Sequence, residues 1–210
     1  MTKTKLMALL CAAAALLLPS TASHAETDGV WAKDNWQFRL RAIGVLPDED
    51  STVNIGGKAS VGDAFVPEFD ISYFFTDHIA AELILATAQH QVNYTGDINL
   101  GDTMILPPTL TLQYHFMPDS NFSPYIGAGL NYSIFYSEDS GTGFTDLDID
   151  GGLGYALQAG FDYWLNDNWG INMDVKKIYL DIDAELNSGS IRADVDLDPW
   201  VVGTGVSYRF

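Results

Sequence analysis

The carboxyl-terminal segment, residues 197–210, alternates between two kinds of side chain. One face of an extended chain would carry Trp200, Val202, Val206, Tyr208 and Phe210, and the other Gly203, Gly205, Ser207 and Arg209. An apolar stripe of about ten residues with aromatic side chains at both ends is typical of a strand that crosses an outer membrane. A half-buried strand of a soluble protein alternates in the same way, so the rest of the chain has to decide between the two.

The amino terminus has the organisation of a secretory signal. Lys3 and Lys5 precede an apolar run over residues 6–18, and Ser23-His24-Ala25 places small residues at the two positions that a signal peptidase reads. A transmembrane anchor is the alternative, but the run is shorter than the roughly 17 to 25 apolar residues of a spanning helix. We therefore expect cleavage after Ala25, with residues 1–25 as signal peptide and residues 26–210 as the mature protein.

The composition fits an exported protein with an acidic surface. The chain has 10 Lys plus Arg against 28 Asp plus Glu, and removal of Lys3 and Lys5 leaves 8 against 28, a formal charge of −20. This acidity disfavours nucleic acid as a partner, because its backbone is bound through Lys and Arg. It suits divalent cations and anionic lipopolysaccharide, although a merely solvated surface is the alternative. Cys11 is the only cysteine and follows Leu10 inside the signal, so the mature chain has no disulfide.

Seven more segments alternate with a period of two residues and predict seven further strands. Their apolar faces run over residues 36–42, 69–75, 79–85, 110–116, 126–134, 155–165 and 169–175. The pair Lys176-Lys177 interrupts the last of these, and we expect a bulge there that restores the pattern at Tyr179.

The connections between these strands alternate in length. Short polar turns are expected at 76–78, 117–123 and 166–168, and long loops at 47–64, 88–107, 135–154 and 183–198. This is typical of an all-β, eight-stranded antiparallel up-and-down transmembrane β-barrel with short periplasmic turns, long extracellular loops and both termini in the periplasm. A soluble lipocalin-like barrel is the rival, but it would turn its apolar faces inward.

Several segments resemble the outer membrane protein W (OmpW) family. They are Leu106-Pro107-Pro108-Thr109-Leu110, Gln158-Ala159-Gly160-Phe161-Asp162-Tyr163, and residues 124–132 and 197–210. The resemblance implies a barrel of the Gram-negative outer membrane with a mostly apolar passage for small hydrophobic molecules. Its aromatic terminus, Phe210, is what the barrel assembly machinery would read by the same resemblance. The chain departs from the family in having Leu153 before Gly154, where relatives often have Trp.

Charged residues lie on the faces predicted to point into the barrel. They are Arg39, Arg41, Glu68, Asp70, Glu82, Asp162, Asp174 and Arg209. The interior of an eight-stranded barrel is just wide enough to be filled by side chains or to hold one small ligand. We therefore expect a charge network that plugs the periplasmic half, with a purely structural role as the alternative.

An apolar vestibule is expected at the outer ends of the strands. Its candidate residues are Val61, Ala64, Phe65, Val66, Leu85, Leu106, Leu153 and Tyr155. A lipophilic solute would enter there and leave sideways between strands into the bilayer. Each of these residues is also compatible with a lipid-facing or loop-packing position.

Catalysis and metal binding find little support. The mature chain has only His78, His90 and His115, and none has an evident serine and acid beside it at membrane-interface depth. Residues 146–151 copy the start of a calcium loop, but Leu157 stands where a bidentate glutamate is needed. We predict a non-enzyme without a cofactor or metal site, while weak surface binding of calcium or magnesium stays open.

The sequence therefore predicts a passive channel for small hydrophobic molecules. A structural or surface barrel whose loops act as a receptor or adhesin is the second hypothesis. A lipid-modifying enzyme is the third. A channel requires an apolar cavity that opens outward, whereas a purely structural barrel would be packed shut.

Overall fold

A computed structural model describes residues 35–54, 56, 59–94, 98–140, 147–186 and 190–210. The expected signal peptide and its cleavage site lie outside these residues. Within the described ranges the chain forms fifteen strands, and none of its helices is long and apolar enough to span a membrane. The strands are β1 (Trp36–Leu46), β2 (Glu49–Val53), β3 (Ala59–Val61), β4 (Ala64–Phe74), β5 (Ile79–Ala86), β6 (Ala88–Tyr94), β7 (Ile98–Leu106), β8 (Thr109–His115), β9 (Phe122–Tyr132), β10 (Ile134–Ser140), β11 (Leu147–Asp150), β12 (Leu153–Trp164), β13 (Trp169–Leu186), β14 (Ile191–Leu197) and β15 (Trp200–Arg209).

Eight of these strands close into an antiparallel barrel. Their order is β12-β9-β8-β5-β4-β1-β15-β13, and pairing between β12 and β13 closes the ring. Each barrel strand pairs with the barrel strands before and after it along the chain. The last strand, β15, also pairs with the first, β1, so that Arg39 lies opposite Ser207. The prediction of an eight-stranded up-and-down barrel is confirmed.

The two faces of the barrel wall differ in polarity in the way the alternation predicts. On β8, Leu112 is 59% exposed whereas its neighbour Gln113 is 1% exposed. On β9, Leu130 is 60% exposed and Asn131 is fully buried. The apolar side chains therefore face outward and the polar ones inward, which is the arrangement of a barrel in lipid and the reverse of a soluble one.

Two belts of aromatic side chains border the apolar outer band. At the end that carries the short turns, Trp169 packs against Tyr208 with ring centroids 4.8 Å apart. At the opposite end Tyr155 stacks on Tyr179 at 4.5 Å. Trp169 and Tyr179 lie ten residues apart on β13, which is about 33 Å along the strand and about 25 Å across a bilayer at a typical tilt. The belts are spaced as the two interfaces of an outer membrane require.

The predicted long connections are present, and the structure shows that they consist largely of β-structure. Beyond the barrel, β11, β13, β14 and β2 form one sheet and β10, β7, β6 and β3 form another. We call these two sheets the collar. Because β13 runs through both barrel and collar, the alternation of its side chains continues upward without a break.

The bulge expected at Lys176-Lys177 is absent. The pairing of β13 with β12 runs without a shift from Gly170 opposite Trp164 to Tyr179 opposite Tyr155. Lys177 keeps the outward position and Lys176 points into the barrel, where it is 2% exposed. The interruption of the apolar pattern was therefore a lysine on the lipid-facing side near the interface, not an extra residue.

Rows of carboxylates cross the outer face of the collar. Asp181 lies opposite Asp196, which lies opposite Asp50. One step further, Asp183 lies between Asp150 and Asp194. Like charges directly opposite one another on a sheet are unfavourable, so the collar carries electrostatic strain on its exposed side.

The lipid-facing assignment predicts a strong effect of a charge at Leu112. This residue lies opposite Ala128, near the middle of the apolar band. Leu112→Arg should lower the free energy of unfolding by about 2–4 kcal/mol, whereas Leu165→Arg, at the level of the aromatic belt, should cost about 0–1 kcal/mol. Urea titration in lipid vesicles measures both values. Equal effects at the two positions would mean that Leu112 does not lie in the hydrocarbon layer.

The carboxylate rows predict that acid stabilises the collar. The pKa of Asp183 is raised above the ordinary aspartate value, chiefly because its carboxyl shares a hydrogen bond with Asp194, and also because Asp194 and Asp150 are negative. A carboxyl whose pKa is raised by folding binds protons more tightly in the folded state, so stability falls as the pH rises above about 4, the ordinary pKa, and through the raised value.

We therefore expect hydrogen exchange in β13 and β14, corrected for intrinsic rates, to slow as the pH falls from 7 towards 4. Asp183→Asn should slow exchange at pH 7 and reduce this pH dependence. Asp77→Asn, in a turn at the other end, is the control and should leave both unchanged. A collar that exchanges faster in Asp183→Asn would contradict the interpretation.

Candidate functional site: an apolar chamber above a buried charge network

The inward side chains change from polar to apolar at one level of the barrel. On β1 the change falls between Arg41 and Ile43, and on β13 it falls between Lys176 and Ile178. The turn end of the barrel is therefore filled by polar groups, and the collar end is lined by apolar ones. We call the first region the plug and the second the chamber.

Arg39 joins three strands within the plug. Its Nε and Nη2 donate to the two carboxylate oxygens of Asp162 on β12 at 3.2 and 2.7 Å. Its Nη1 donates to the hydroxyl of Ser72 on β4 at 3.1 Å and forms an ion pair with Glu82 on β5. Each charged group in this cluster is buried. Two-point binding of a carboxylate makes the geometry specific as well as strong.

Arg41 and Lys176 form the upper layer of the plug. Arg41 contacts Glu68 at 3.0 Å, Asp70 at 2.7 Å and Asp174 at 3.0 Å, although its pair with Asp70 is poorly aligned for a hydrogen bond. Lys176 Nζ donates to Glu68 at 2.7 Å and to Asp174 at 3.1 Å. The network as described thus combines three cations with five carboxylates, an excess of two negative charges.

Aromatic rings complete the plug on the side of the turns. Tyr125 is 1% exposed and lies 5.0 Å from the guanidinium carbon of Arg39 and 5.0 Å from the ring of His115. A Cβ on Gly160 would lie 2.6 Å from the hydroxyl of Tyr125, so only glycine leaves room for this ring. Packing of this kind closes the barrel axis to water.

The chamber is an apolar cavity of about 220 Å³ directly above the plug. Both barrel and collar strands contribute to its wall, among them Ile43, Ile84, Ile105, Phe135, Ile178 and Val201. Six polar side chains also reach the wall: Glu68, Thr103, Thr109, Asn131, Ser133 and Lys176. The cavity therefore suits an apolar guest and offers few polar contacts.

Most of these polar groups bond to one another. Asn131 Nδ2 donates to the hydroxyl of Thr109 at 2.8 Å, and that hydroxyl donates to the carbonyl of Pro107 at 3.1 Å. Ser133 donates to the amide oxygen of Asn131 at 3.0 Å. Lys176 and Glu68 pair with each other as described above. These five side chains are satisfied within the protein and form the polar border of the chamber.

The structure brings together seven of the eight charged residues expected in the interior network. The exception is Arg209, which lies at the turn end, donates to the carbonyl of Asp167 at 2.9 Å and stacks on Trp164 at 4.0 Å. The prediction missed Lys176, because the paired lysines were taken for a bulge. Its position on the same face as Asn172 and Asp174 was the signal that would have identified it.

The expected vestibule residues are placed differently. Val61 and Val66 line the chamber, and Ala64 packs against its apolar wall. Phe65, Leu153 and Tyr155 are 79%, 69% and 53% exposed on the outer surface. Leu85 and Leu106 also point away, because their neighbours Ile84, Ala86, Ile105 and Pro107 form the wall. The placement of these five in the passage is therefore corrected: strand alternation continues above the membrane, and it turns them outward.

The residues considered for catalysis and metal binding are dispersed. His78 Nδ1 lies 2.7 Å from the carbonyl oxygen of His115, whose Nε2 lies 3.2 Å from the amide oxygen of Gln113. Asp148 and Asp150 belong to β11 and are exposed, and Asp146 lies outside the described residues. Within the described part of the chain, no three His, Cys, Asp or Glu side chains are grouped as a metal ion would require.

The network predicts unequal roles for two arginines. Arg39→Leu leaves Asp162 and Glu82 without their buried partner, and the free energy of unfolding should fall by about 3–5 kcal/mol. Arg209→Leu removes a half-buried cation without a carboxylate partner in the network and its contact with Trp164, which should cost about 1 kcal/mol. Guanidinium titration of the two purified variants in detergent micelles gives both numbers. Similar losses would show that the network does not hold the barrel together.

Comparison with known proteins agrees with this architecture. The model of the OmpW family matches residues 32–210. The uncharacterized outer-membrane protein y4mB of Sinorhizobium fredii is 46% identical over 95% of this chain and 91% of its own. Outer membrane protein W of Vibrio cholerae is 34% identical over 86% and 92%. The dibenzothiophene metabolism operon protein DoxH of Pseudomonas sp. (strain C18) is 30% identical over 86% and 91%.

A solved structure shows the same fold. The crystal structure of the outer membrane protein OprG from Pseudomonas aeruginosa superposes with a TM-score of 0.79 at 35% identity, covering 83% of this chain and 95% of OprG. Family, relatives and structure agree with the outer-membrane barrel described above. The chain therefore belongs to the OmpW family and is a β-barrel of the Gram-negative outer membrane.

Proposed function

We propose that this barrel is a passive channel for small hydrophobic molecules, which enter the chamber from outside and leave sideways into the bilayer. The observation that carries the proposal is the apolar chamber set directly on a filled plug. Such a chamber takes up apolar guests without any moving part or energy source. It is what distinguishes a channel of this kind from a barrel packed shut along its whole length.

The chamber favours apolar guests over water. Burial of apolar surface contributes roughly 25 cal/mol for each Å² removed from water. The wall offers water few free partners, because Thr109, Asn131 and Ser133 bond to one another. A lipophile therefore gains by entering, and small polar solutes do not.

The plug blocks the straight path to the periplasm. Asp70, Glu82 and Asp162 are fully buried, and Arg39 is 1% exposed. Passage along the axis would separate these charges in a region of low dielectric constant, which is strongly unfavourable. A molecule in the chamber therefore leaves through the wall.

The wall has a seam where strand pairing is interrupted. Pairing of β5 with β8 ends at Ile84 opposite Thr109, and pairing of β6 with β7 begins at Ala88 opposite Ile105. Residues 85–87 and 106–108 face each other between these points. Because Pro107 and Pro108 have no N–H, this stretch cannot form a complete ladder of hydrogen bonds. The seam is a stretch of the wall beside the chamber without complete strand pairing, and it is the exit that we propose.

The family relationship supports the same function. The resemblance to OmpW proteins implied an apolar passage, and the relative DoxH is named for an operon of dibenzothiophene metabolism. Dibenzothiophene is a compact aromatic compound with little polar surface. Smaller compounds of the same apolar character suit the wall of this chamber.

A disulfide across the seam should stop lateral exit. In Thr87→Cys/Leu106→Cys the two residues oppose each other in the continued register of the flanking pairs, a separation that a disulfide spans. The expected mature chain has no other cysteine. We expect oxidised cells to take up labelled naphthalene no faster than cells that lack the protein, and reduction to restore uptake.

The matched control is a cysteine pair in an intact part of the wall. Ala42 and Thr204 face each other on β1 and β15, and Ala42→Cys/Thr204→Cys should transport equally well oxidised and reduced. Uptake that the seam disulfide leaves unchanged would exclude this exit. Equal uptake with and without the protein would reject the channel itself.

A further inference from the structure

One polar group in the chamber wall has no partner among the residues that the structure describes. The side chain of Thr103 is buried at 3% exposure, and its hydroxyl makes no hydrogen bond within the described part of the chain. The other polar side chains of the wall, Glu68, Thr109, Asn131, Ser133 and Lys176, all have partners. A buried hydroxyl without a partner is unusual because it loses its bond to water on folding.

The buried side chain of Thr103 belongs to the chamber wall. Thr103 lines the cavity together with Ile105 and Leu100 of the same strand, β7. It lies opposite a register shift in β10, between Tyr136 and Asp139, so the neighbouring strand is displaced beside it. The surroundings are apolar, and a bound water needs two to four polar partners, so water is a poor occupant here.

We propose that Thr103 Oγ1 is a hydrogen-bonding subsite that makes the chamber prefer neutral lipophiles with one polar atom over hydrocarbons of the same shape. This inference rests on the proposed channel function and names its class of solute. A threonine hydroxyl donates or accepts one bond, so phenols, alcohols and ketones all qualify. The solute would place its apolar body against the chamber wall and its single polar atom on Thr103.

The charge of the plug and the size of the chamber narrow the class of solute further. The plug below formally carries two more carboxylates than cations, and Lys176, the cation at the chamber wall, is already paired with Glu68 and Asp174. An anionic head group therefore finds no unpaired cation there. The chamber of about 220 Å³ is larger than the roughly 150 Å³ that holds benzene in an apolar cavity. One aromatic ring with small substituents, or two fused rings, fits this space.

Two ligands of equal shape test the subsite. p-Cresol and p-xylene have the same number of non-hydrogen atoms and differ in one hydroxyl for one methyl. Their affinities are measured in lipid nanodiscs from the methyl NMR shifts of Leu100 and Ile105, at known free aqueous concentrations. Thr103→Val keeps the shape of the side chain and removes the hydroxyl. It should weaken p-cresol binding by about three- to tenfold and leave p-xylene within about twofold.

Two further variants separate this effect from a general disturbance of the chamber. Thr103→Ser retains a hydroxyl and should keep the wild-type ratio of the two affinities. Thr109→Val removes a hydroxyl that is already bonded to Asn131 and Pro107, and it should also leave the ratio unchanged. A ratio altered equally by Thr109→Val would overturn the inference.

The remaining outcomes distinguish this inference from the channel proposal. If both ligands bind, and their affinity ratio is the same in wild type and Thr103→Val, the subsite does not exist while the chamber still functions. If neither ligand shifts the Leu100 and Ile105 methyl signals of the wild type, the chamber is not a binding site and both proposals fail.

Discussion

Arg39 and Arg41 tie the barrel together because each guanidinium contacts carboxylates from several strands at once. Arg39, on β1, reaches Asp162 on β12 across the barrel interior. Removal of charges from water costs several kcal/mol for each ion, so the arrangement is stable only when every charge finds a partner. Residues on strands distant in sequence must therefore meet in one register. The closed ring and the charge network require each other.

The position of this network along the barrel axis determines where the chamber lies. Ionised side chains fill the narrow interior at the turn end, while Ile, Val and Ala at the collar end are too short to meet at the barrel axis. An unfilled cavity lowers the stability of the fold in proportion to its volume. The charge network below the chamber offsets this cost because it holds the strands of the wall together. The chamber is thus a consequence of short apolar residues above long charged ones, along the same strands.

The two-residue period was sufficient to predict the barrel, its lipid-facing band and the inward charges. The same rule would have placed Lys176 inside and Tyr155 outside. Lys176 was missed because the lysine pair was taken for a bulge, and Tyr155 was assigned to the vestibule although it lies on the apolar face of a predicted strand. The segments beyond the membrane were taken for loops, to which the alternation rule does not apply. Their β-structure depends on pairing across the collar, such as Val195 opposite Ile182, and no local pattern reveals such a partner. Arg209 was misplaced for another reason. Alternation predicts which face of the wall a residue is on, but not its position along the barrel axis.

Thr103 and the seam lie on the same strand. Thr103 is four residues from Pro107, about 13 Å along an extended chain. A guest that bonds to Thr103 is therefore held near the proposed exit, on the same side of the chamber. A single hydrogen bond is weak enough to release it again, since its net contribution is only about 1 kcal/mol. Such a site would orient neutral lipophiles towards the seam without trapping them, which a passive channel requires.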